Sequence, residues 1–242
     1  MSAYERESEG IIHESRWAVT QRTGDKVYKI FLHDAYPKIK KEVSLLQLSL
    51  ATNASLSFDK VMNHWVCKSD YIDIYPLVGN IGLDNLITQL RQIFDLWRYD
   101  HRYCSLASDD WSEVVVPWYS MLLQQYIPDS EEIISWLQQS QGKHFTHGDF
   151  TLSNVYLDNR NKIVVIDYEN ATLGPLLWDE TTLVYSFIEQ KQFGAAKQIY
   201  DTFGCSKEML RAICSIRLAL SMRKGHNIVR RIEAYEFVMH NY

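Results

Sequence analysis

Three polar positions stand at set intervals in the second half of the chain. Asp149 and Asn154 lie five residues apart in His147-Gly148-Asp149-Phe150-Thr151-Leu152-Ser153-Asn154, and Asp167 follows thirteen residues after Asn154, opening Asp167-Tyr168-Glu169. Between them run two apolar β-prone stretches, Val155-Tyr156-Leu157 and Ile163-Val164-Val165-Ile166, separated by the turn-forming Asp158-Asn159-Arg160-Asn161. A hairpin returns the chain to its starting point, so Asp167 is expected beside Asn154. Two carboxylates and an amide oxygen then converge on one edge. Hard oxygen donors of this kind suit Mg2+, which keeps waters and completes its shell with substrate phosphates. Asp149 could orient an attacking hydroxyl and accept its proton.

Each short motif is weak alone; their order and spacing together are specific. HGDxxxxN followed by a strand-terminal Asp-Tyr-Glu resembles the aminoglycoside phosphotransferase and choline kinase group, which shares the protein-kinase fold. The resemblance implies an α+β, two-lobed protein-kinase-like fold, with a small strand-rich N-lobe and a larger helical C-lobe carrying the catalytic β-hairpin. It implies ATP and Mg2+ as cofactors, Asp149 as base or substrate-orienting carboxylate, and Asn154 and Asp167 as Mg2+ ligands. It makes His147 a structural residue of the catalytic loop, and lets Glu169 contact a metal-bound water or brace the loop. Asp179, in Leu177-Trp178-Asp179, is expected to cap a helix and pack beneath that loop without taking part in the chemistry.

Such a kinase also needs a strand Lys ahead of a helix Glu. Lys26-Val27-Tyr28-Lys29-Ile30-Phe31 places Val27, Lys29 and Phe31 on one strand face, so Val27 could roof the adenine while Lys29 reaches the phosphates. Glu42 falls in a helix over 38–50, opening after Pro37, and is placed to hold Lys29 extended. Ile74, Tyr75 and Leu77 belong to a segment that resembles the hinge, about 74–79, whose backbone would meet the adenine edge. The expected boundaries are therefore 1–79 for the N-lobe and 80–242 for the C-lobe.

The elements that must position these groups are legible from periodicity. Trp17–Gln21 and 26–31 read as strands joined by a turn at Gly24, with further strands around 60–66 and 71–77. Leu83, Leu86, Leu90, Ile93, Phe94 and Trp97 share one face of a long helix, Pro117–Tyr126 forms another, and Asp129 or Ser130 can cap a third. From Glu180 to Tyr242 the pattern is helical. The arginines and lysine there, Arg211, Arg217, Arg223, Lys224, Arg230 and Arg231, read as a solvated face in preference to an anion site. Most of the aromatic series Trp97, Tyr99, Tyr103, Trp111, Trp118 and Tyr119 reads as core packing.

Composition sets the outer limits. With 25 Lys+Arg against 30 Asp+Glu in 242 residues, the net charge of −5 provides no basic field for wrapping nucleic acid or holding a polybasic membrane contact. Residues 1–77 carry ten of each sign, so the acidic excess lies wholly in the remainder. Cys67, Cys104, Cys205 and Cys214 form no CxxC pair and read as thiols of a reducing compartment. The acidic N-terminus is unlike a signal peptide, and no apolar run reaches the roughly 18 residues that span a bilayer. A cytoplasmic enzyme without membrane insertion is expected.

Two departures from the kinase pattern shape the function expected. No GxGxxG precedes Lys29, and a phosphate-covering loop at His13-Glu14-Ser15-Arg16 lacks glycine. The stretch from Asp167 to Trp178 is short, without an APE-like motif, and Gly148 stands where protein kinases carry the Arg that reads an activation-loop phosphate. The expected activity is therefore ATP·Mg-dependent transfer to a hydroxyl of a small molecule: a sugar, amino alcohol or glycolipid precursor. The alternatives are a kinase-like enzyme acting on protein or RNA, and a catalytically silent nucleotide-binding module.

Overall fold

The computed structural model describes residues 9–14, 18–32, 36–50, 54–61, 63–107 and 111–242. These fall into two compact units, residues 1–75 with 156–169, and residues 76–155 with 170–242. The hairpin after the catalytic loop thus groups with the strand-rich unit. Its strands β8 (Val155–Asp158) and β9 (Ile163–Val165) join β6 (Ile74–Pro76) in a sheet ordered β6-β8-β9.

The first unit is built on an antiparallel sheet ordered β1-β2-β3-β5-β4, from β1 (Glu9–Glu14), β2 (Ala18–Thr23), β3 (Lys26–Phe31), β4 (Ser55–Asp59) and β5 (His64–Asp70). Strand β3 spans the range read from the sequence, because Gly24 supplies the positive φ, +60°, that its turn from β2 requires. Lys29 faces Thr20 of β2 on one side and Cys67 of β5 on the other, so its backbone is fixed by neighbours on both edges. Helix α1 (Tyr36–Leu50) buries Ile39 and Val43 against Ala18, Phe31, Ala54 and Cys67. Glu42 stands between those anchors in sequence and is itself buried.

The strand expected over 60–66 is corrected. Asp59 ends β4 and its Oδ1 accepts from the Val61 N–H at 2.8 Å, Asn63 takes φ +56°, and β5 begins only at His64. Val61 is 96% exposed at the loop tip, so its β-branched side chain misled the reading. The strand expected over 71–77 shrinks to the three residues of β6. Strand β4 was not anticipated; Ser55, Ser57 and Asp59 carry little strand propensity, and its pairing with β5 creates it.

The second unit is helical. It comprises α2 (Leu83–Tyr99), α3 (His101–Leu106), a π-turn Trp111–Val115 running into α4 (Val116–Tyr126), α5 (Glu131–Gln139), α6 (Trp178–Glu189), α7 (Phe193–Phe203), α8 (Lys207–Lys224) and α9 (Ile228–Asn241). Leu86, Leu90, Phe94 and Trp97 of α2 are buried as their spacing required. Helix α6 is buried from Trp178 to Ile188 and forms the middle of the unit. Two short strands, β7 (His144–Thr146) and β10 (Thr172–Gly174), pair antiparallel and frame the segment that carries the motif. No helix among the described residues is long and apolar enough to cross a membrane.

Candidate active site

In the first unit, Lys29 Nζ lies 2.5 Å from Glu42 Oε1 and 3.1 Å from Asp167 Oδ1. Three residues far apart in sequence thus meet at one ammonium. Burial opposes the charge on Lys29, but the two carboxylates outweigh it and hold its pKa above the ordinary value. Asp167 closes the hairpin with φ +67°, a conformation that Asp tolerates better than most residues, and its side chain is 35% exposed. With one oxygen on Lys29, the carboxylate keeps further lone pairs for a cation. The hairpin turn that precedes it is fixed by Asp158, whose Oδ1 accepts from the N–H groups of Arg160 and Lys162, both at 2.8 Å.

The other residues expected on the nucleotide side are placed as follows. Val27 is half-buried, two residues before Lys29 on β3; Ile74 and Tyr75 are exposed on β6. The Leu77 side chain is buried in a core, which leaves only its backbone to meet a ligand. Ser15 and Arg16 of the expected phosphate loop lie outside the described residues.

In the second unit, the loop after β7 is organised from below by Asp179. Oδ2 accepts the His147 N–H at 2.6 Å and Oδ1 accepts the Gly148 N–H at 3.1 Å. His147 Nδ1 accepts the Asp149 N–H at 3.3 Å, and its ring stacks on Trp97 with centroids 6.2 Å apart, so this imidazole is a brace. Leu152 N–H donates to Ser186 Oγ of α6. Asn154 Nδ2 reaches back to the Asp149 carbonyl at 2.8 Å and to its Oδ2 at 3.1 Å. With its nitrogen committed, Asn154 has its amide oxygen left for a cation.

Gly148 explains why this loop has no side chain ahead of Asp149. Its φ is +80°, and a Cβ there would sit 2.3 Å from the Asn170 carbonyl oxygen. Gly148→Ala is expected to cost about 1–3 kcal/mol from backbone conformation alone. Thermal unfolding should show this as a Tm lowered by roughly 2–4 °C for each kcal/mol. Asp179→Asn keeps one acceptor and orphans one of the two buried N–H groups, a loss of about 1–3 kcal/mol that the same measurement reads.

The structure adds a residue that the sequence reading placed elsewhere. Arg217 is not part of a solvated face: its Nη2 lies 2.5 Å from Asp149 Oδ1 and its side chain is 15% exposed. Burial tends to raise the Asp149 pKa, but the Arg217 charge prevails and holds the carboxyl below its ordinary value. The available signal was context. Arg217 is the single charge in the run Ile213-Cys214-Ser215-Ile216-Arg217-Leu218-Ala219-Leu220, where neighbours are buried and a charge needs a partner. Arg231 likewise pairs with Glu189 at 3.2 Å, whereas Arg223 and Lys224 are exposed as expected. Arg98 of α2 pairs with the buried Glu180, tying α2 to α6.

A metal bound by these residues would be held by few protein groups. Among the described residues, no three His, Cys, Asp or Glu side chains gather in a cluster that could hold an ion. Taken separately, Asn154 of the second unit offers an amide oxygen and Asp167 of the first a carboxylate, donor types that Mg2+ takes alongside water and phosphate oxygens. By donor type each of the two fits that ion.

The profile of the phosphotransferase enzyme family matches residues 88–211, just over half of the chain. No curated protein matches in sequence. Among solved structures, the choline kinase LicA from Streptococcus pneumoniae superposes with TM-score 0.59 at 11% identity, covering 96% of this chain and 92% of its own. A thermostable mutant of aminoglycoside phosphotransferase APH(4)-Ia, in ternary complex with AMP-PNP and hygromycin B, gives 0.66 at 15%, covering 96% and 93%. Aminoglycoside phosphotransferase APH(3'')-Id from Streptomyces rimosus gives 0.64 at 13%, covering 86% and 91%. The chain has the protein-kinase-like fold of these enzymes, and by its sequence it belongs to the phosphotransferase enzyme family.

Proposed function

We propose that the protein transfers the γ-phosphoryl group of ATP, with Mg2+, to a hydroxyl of a small molecule in the cytoplasm. The observation that carries this reading is the Lys29 ammonium held between Glu42 and Asp167. A structural ion pair needs one carboxylate; a second, on a strained residue at the end of a hairpin, is what a phosphate-binding Lys beside a metal ligand would show. Lys29 would grip the nucleotide phosphates, with Val27 and the backbone of Ile74, Tyr75 and Leu77 on the adenine side. Asn154 and Asp167 would hold Mg2+, which supplies charge neutralisation on the phosphates when bound.

The chain's own work is positioning. Asp149 would accept the hydrogen bond of the acceptor hydroxyl and take its proton as that oxygen bonds to the γ-phosphorus. The bond to the bridging oxygen breaks and ADP leaves with that electron pair. His147, Asn154 and Asp179 keep the Asp149 backbone and carboxylate in place, so little reorganisation accompanies the reaction. The short segment after Asp167 and the absence of an APE-like motif favour a small acceptor over a peptide.

The test is incubation of the purified chain with γ-labelled ATP, Mg2+ and a cell extract, then separation of macromolecules from metabolites. Label in the metabolite fraction is expected. Label in protein or RNA would move the reading to a macromolecular acceptor, and nucleotide binding without transfer would make the protein a binding module.

A further inference from the structure

Arg217 sits where an enzyme for an ammonium-bearing acceptor would be poorly served by it. It reaches from the interior of α8 to the carboxylate assigned above as base, with the neutral phenols of Tyr119 and Tyr185 nearby. Asp149 is the carboxylate that Arg217 touches, and Asp179 lies against the same loop. An acceptor cation brought to Asp149 would also meet a guanidinium, and like charges at that range repel. Further along α8, the Arg223 guanidinium lies 6.0 Å from the ring of Trp118, a partly exposed residue of α4 next to Tyr119. From α8 and α4, Asp149 has the Arg217 guanidinium and the Tyr119 phenol as neighbours.

Contact between Arg217 and Asp149 is close but incomplete. One nitrogen meets one oxygen: Arg217 Nη2 lies 2.5 Å from Asp149 Oδ1. Beside the guanidinium, the fully buried Tyr185 hydroxyl has no hydrogen-bond partner. A guanidinium presents a planar fork of donors matched to two oxygens of one anion, and one contact to Asp149 Oδ1 engages only part of that fork.

Resting on the proposed function, we infer that the acceptor carries a carboxylate or phosphate monoester close to the hydroxyl it offers, and that Arg217 receives this anion. Drawing Arg217 onto the substrate frees Asp149 Oδ1 to accept the hydroxyl hydrogen bond. A neutral or cationic alcohol does not release it. Arg217 then sets specificity by charge, making the base available in the presence of the right substrate.

The test uses the full-length protein and four probes of similar size: glycerate, glycerol 3-phosphate, glycerol and ethanolamine. Their binding is measured by calorimetry with and without MgADP. Both anions, or one of them, should bind more tightly than glycerol and ethanolamine, and comparison of the two anions separates a carboxylate site from a phosphate site. Arg217→Gln should weaken the anion roughly 10–100-fold, the loss of charge-assisted hydrogen bonds, and Arg217→Lys should restore part of the affinity. Ethanolamine binding tighter than either anion, an anion affinity unchanged in Arg217→Gln, or no anion binding would each overturn the inference. The wild-type comparison holds even if Arg217→Gln folds poorly, which its melting curve would report. Failure to bind MgADP would count against the nucleotide reading alone, since the acceptor arm is read without nucleotide as well.

Discussion

Asp149→Asn should lower phosphoryl transfer about 10²–10⁴-fold, the range for loss of a positioned base, while nucleotide binding is retained. Asn has nearly the volume of Asp and can turn its one carbonyl oxygen toward Arg217, while Asn154 Nδ2 loses the side-chain oxygen but keeps the main-chain carbonyl at 2.8 Å. What it removes is the negative charge and the capacity to take the hydroxyl proton. The carboxylate is held ionised by Arg217 and steered by Asn154 Nδ2, so its contribution is one of charge and aim together. Asp149→Ala is the less informative change. It would leave the largely buried Arg217 without any acceptor as well as without its counter-charge, and instability would then mix with lost chemistry. The measurement is kcat from ADP release with the metabolite fraction that accepts label, beside the MgATP Kd of the same variant.

Asp167→Asn is expected to cost several kcal/mol of charge stabilisation, roughly 10³-fold or more in kcat/KM, and to raise the Mg2+ concentration needed for half-maximal rate. Asn is chosen because it tolerates the left-handed backbone of Asp167, φ +67°, where Ala would add strain. Lys29 keeps Glu42 at 2.5 Å, so the phosphate-side cation stays anchored and the variant separates the metal role from the Lys29 role. A rate that falls without any change in Mg2+ dependence would assign Asp167 to holding Lys29 alone. Titration of rate against free Mg2+ in both proteins distinguishes these outcomes.

Much of this site was legible before any coordinates, for a physical reason. The catalytic loop, the hairpin and strand β3 are local devices. Their turns are set by Gly24, Gly148, Asp158 and Asn161, and their strands by short apolar runs, so spacing alone conveys geometry. Glu42 came from the family resemblance, which asks for a helix Glu after the strand Lys, and the helix after Pro37 offered it. Features built by distant pairing were less legible. Strand β4 exists because β5 lies beside it, and β7 and β10 are three-residue strands whose partner is 26 residues away across the motif. Arg217 is the extreme case. Sixty-eight residues separate it from Asp149 in sequence, and helix propensity treats an Arg alike whether it faces water or a carboxylate. Its apolar neighbours were the only trace of its burial.

The most direct test of ATP·Mg-dependent transfer is label incorporation from γ-labelled ATP into the metabolite fraction, run across a Mg2+ series for the wild-type chain and Asp167→Asn side by side. The wild type should label a small molecule in a Mg2+-dependent manner, and Asp167→Asn should do so at no more than about one-thousandth of that efficiency. Full transfer by Asp167→Asn, or transfer indifferent to Mg2+ in the wild type, would contradict the account.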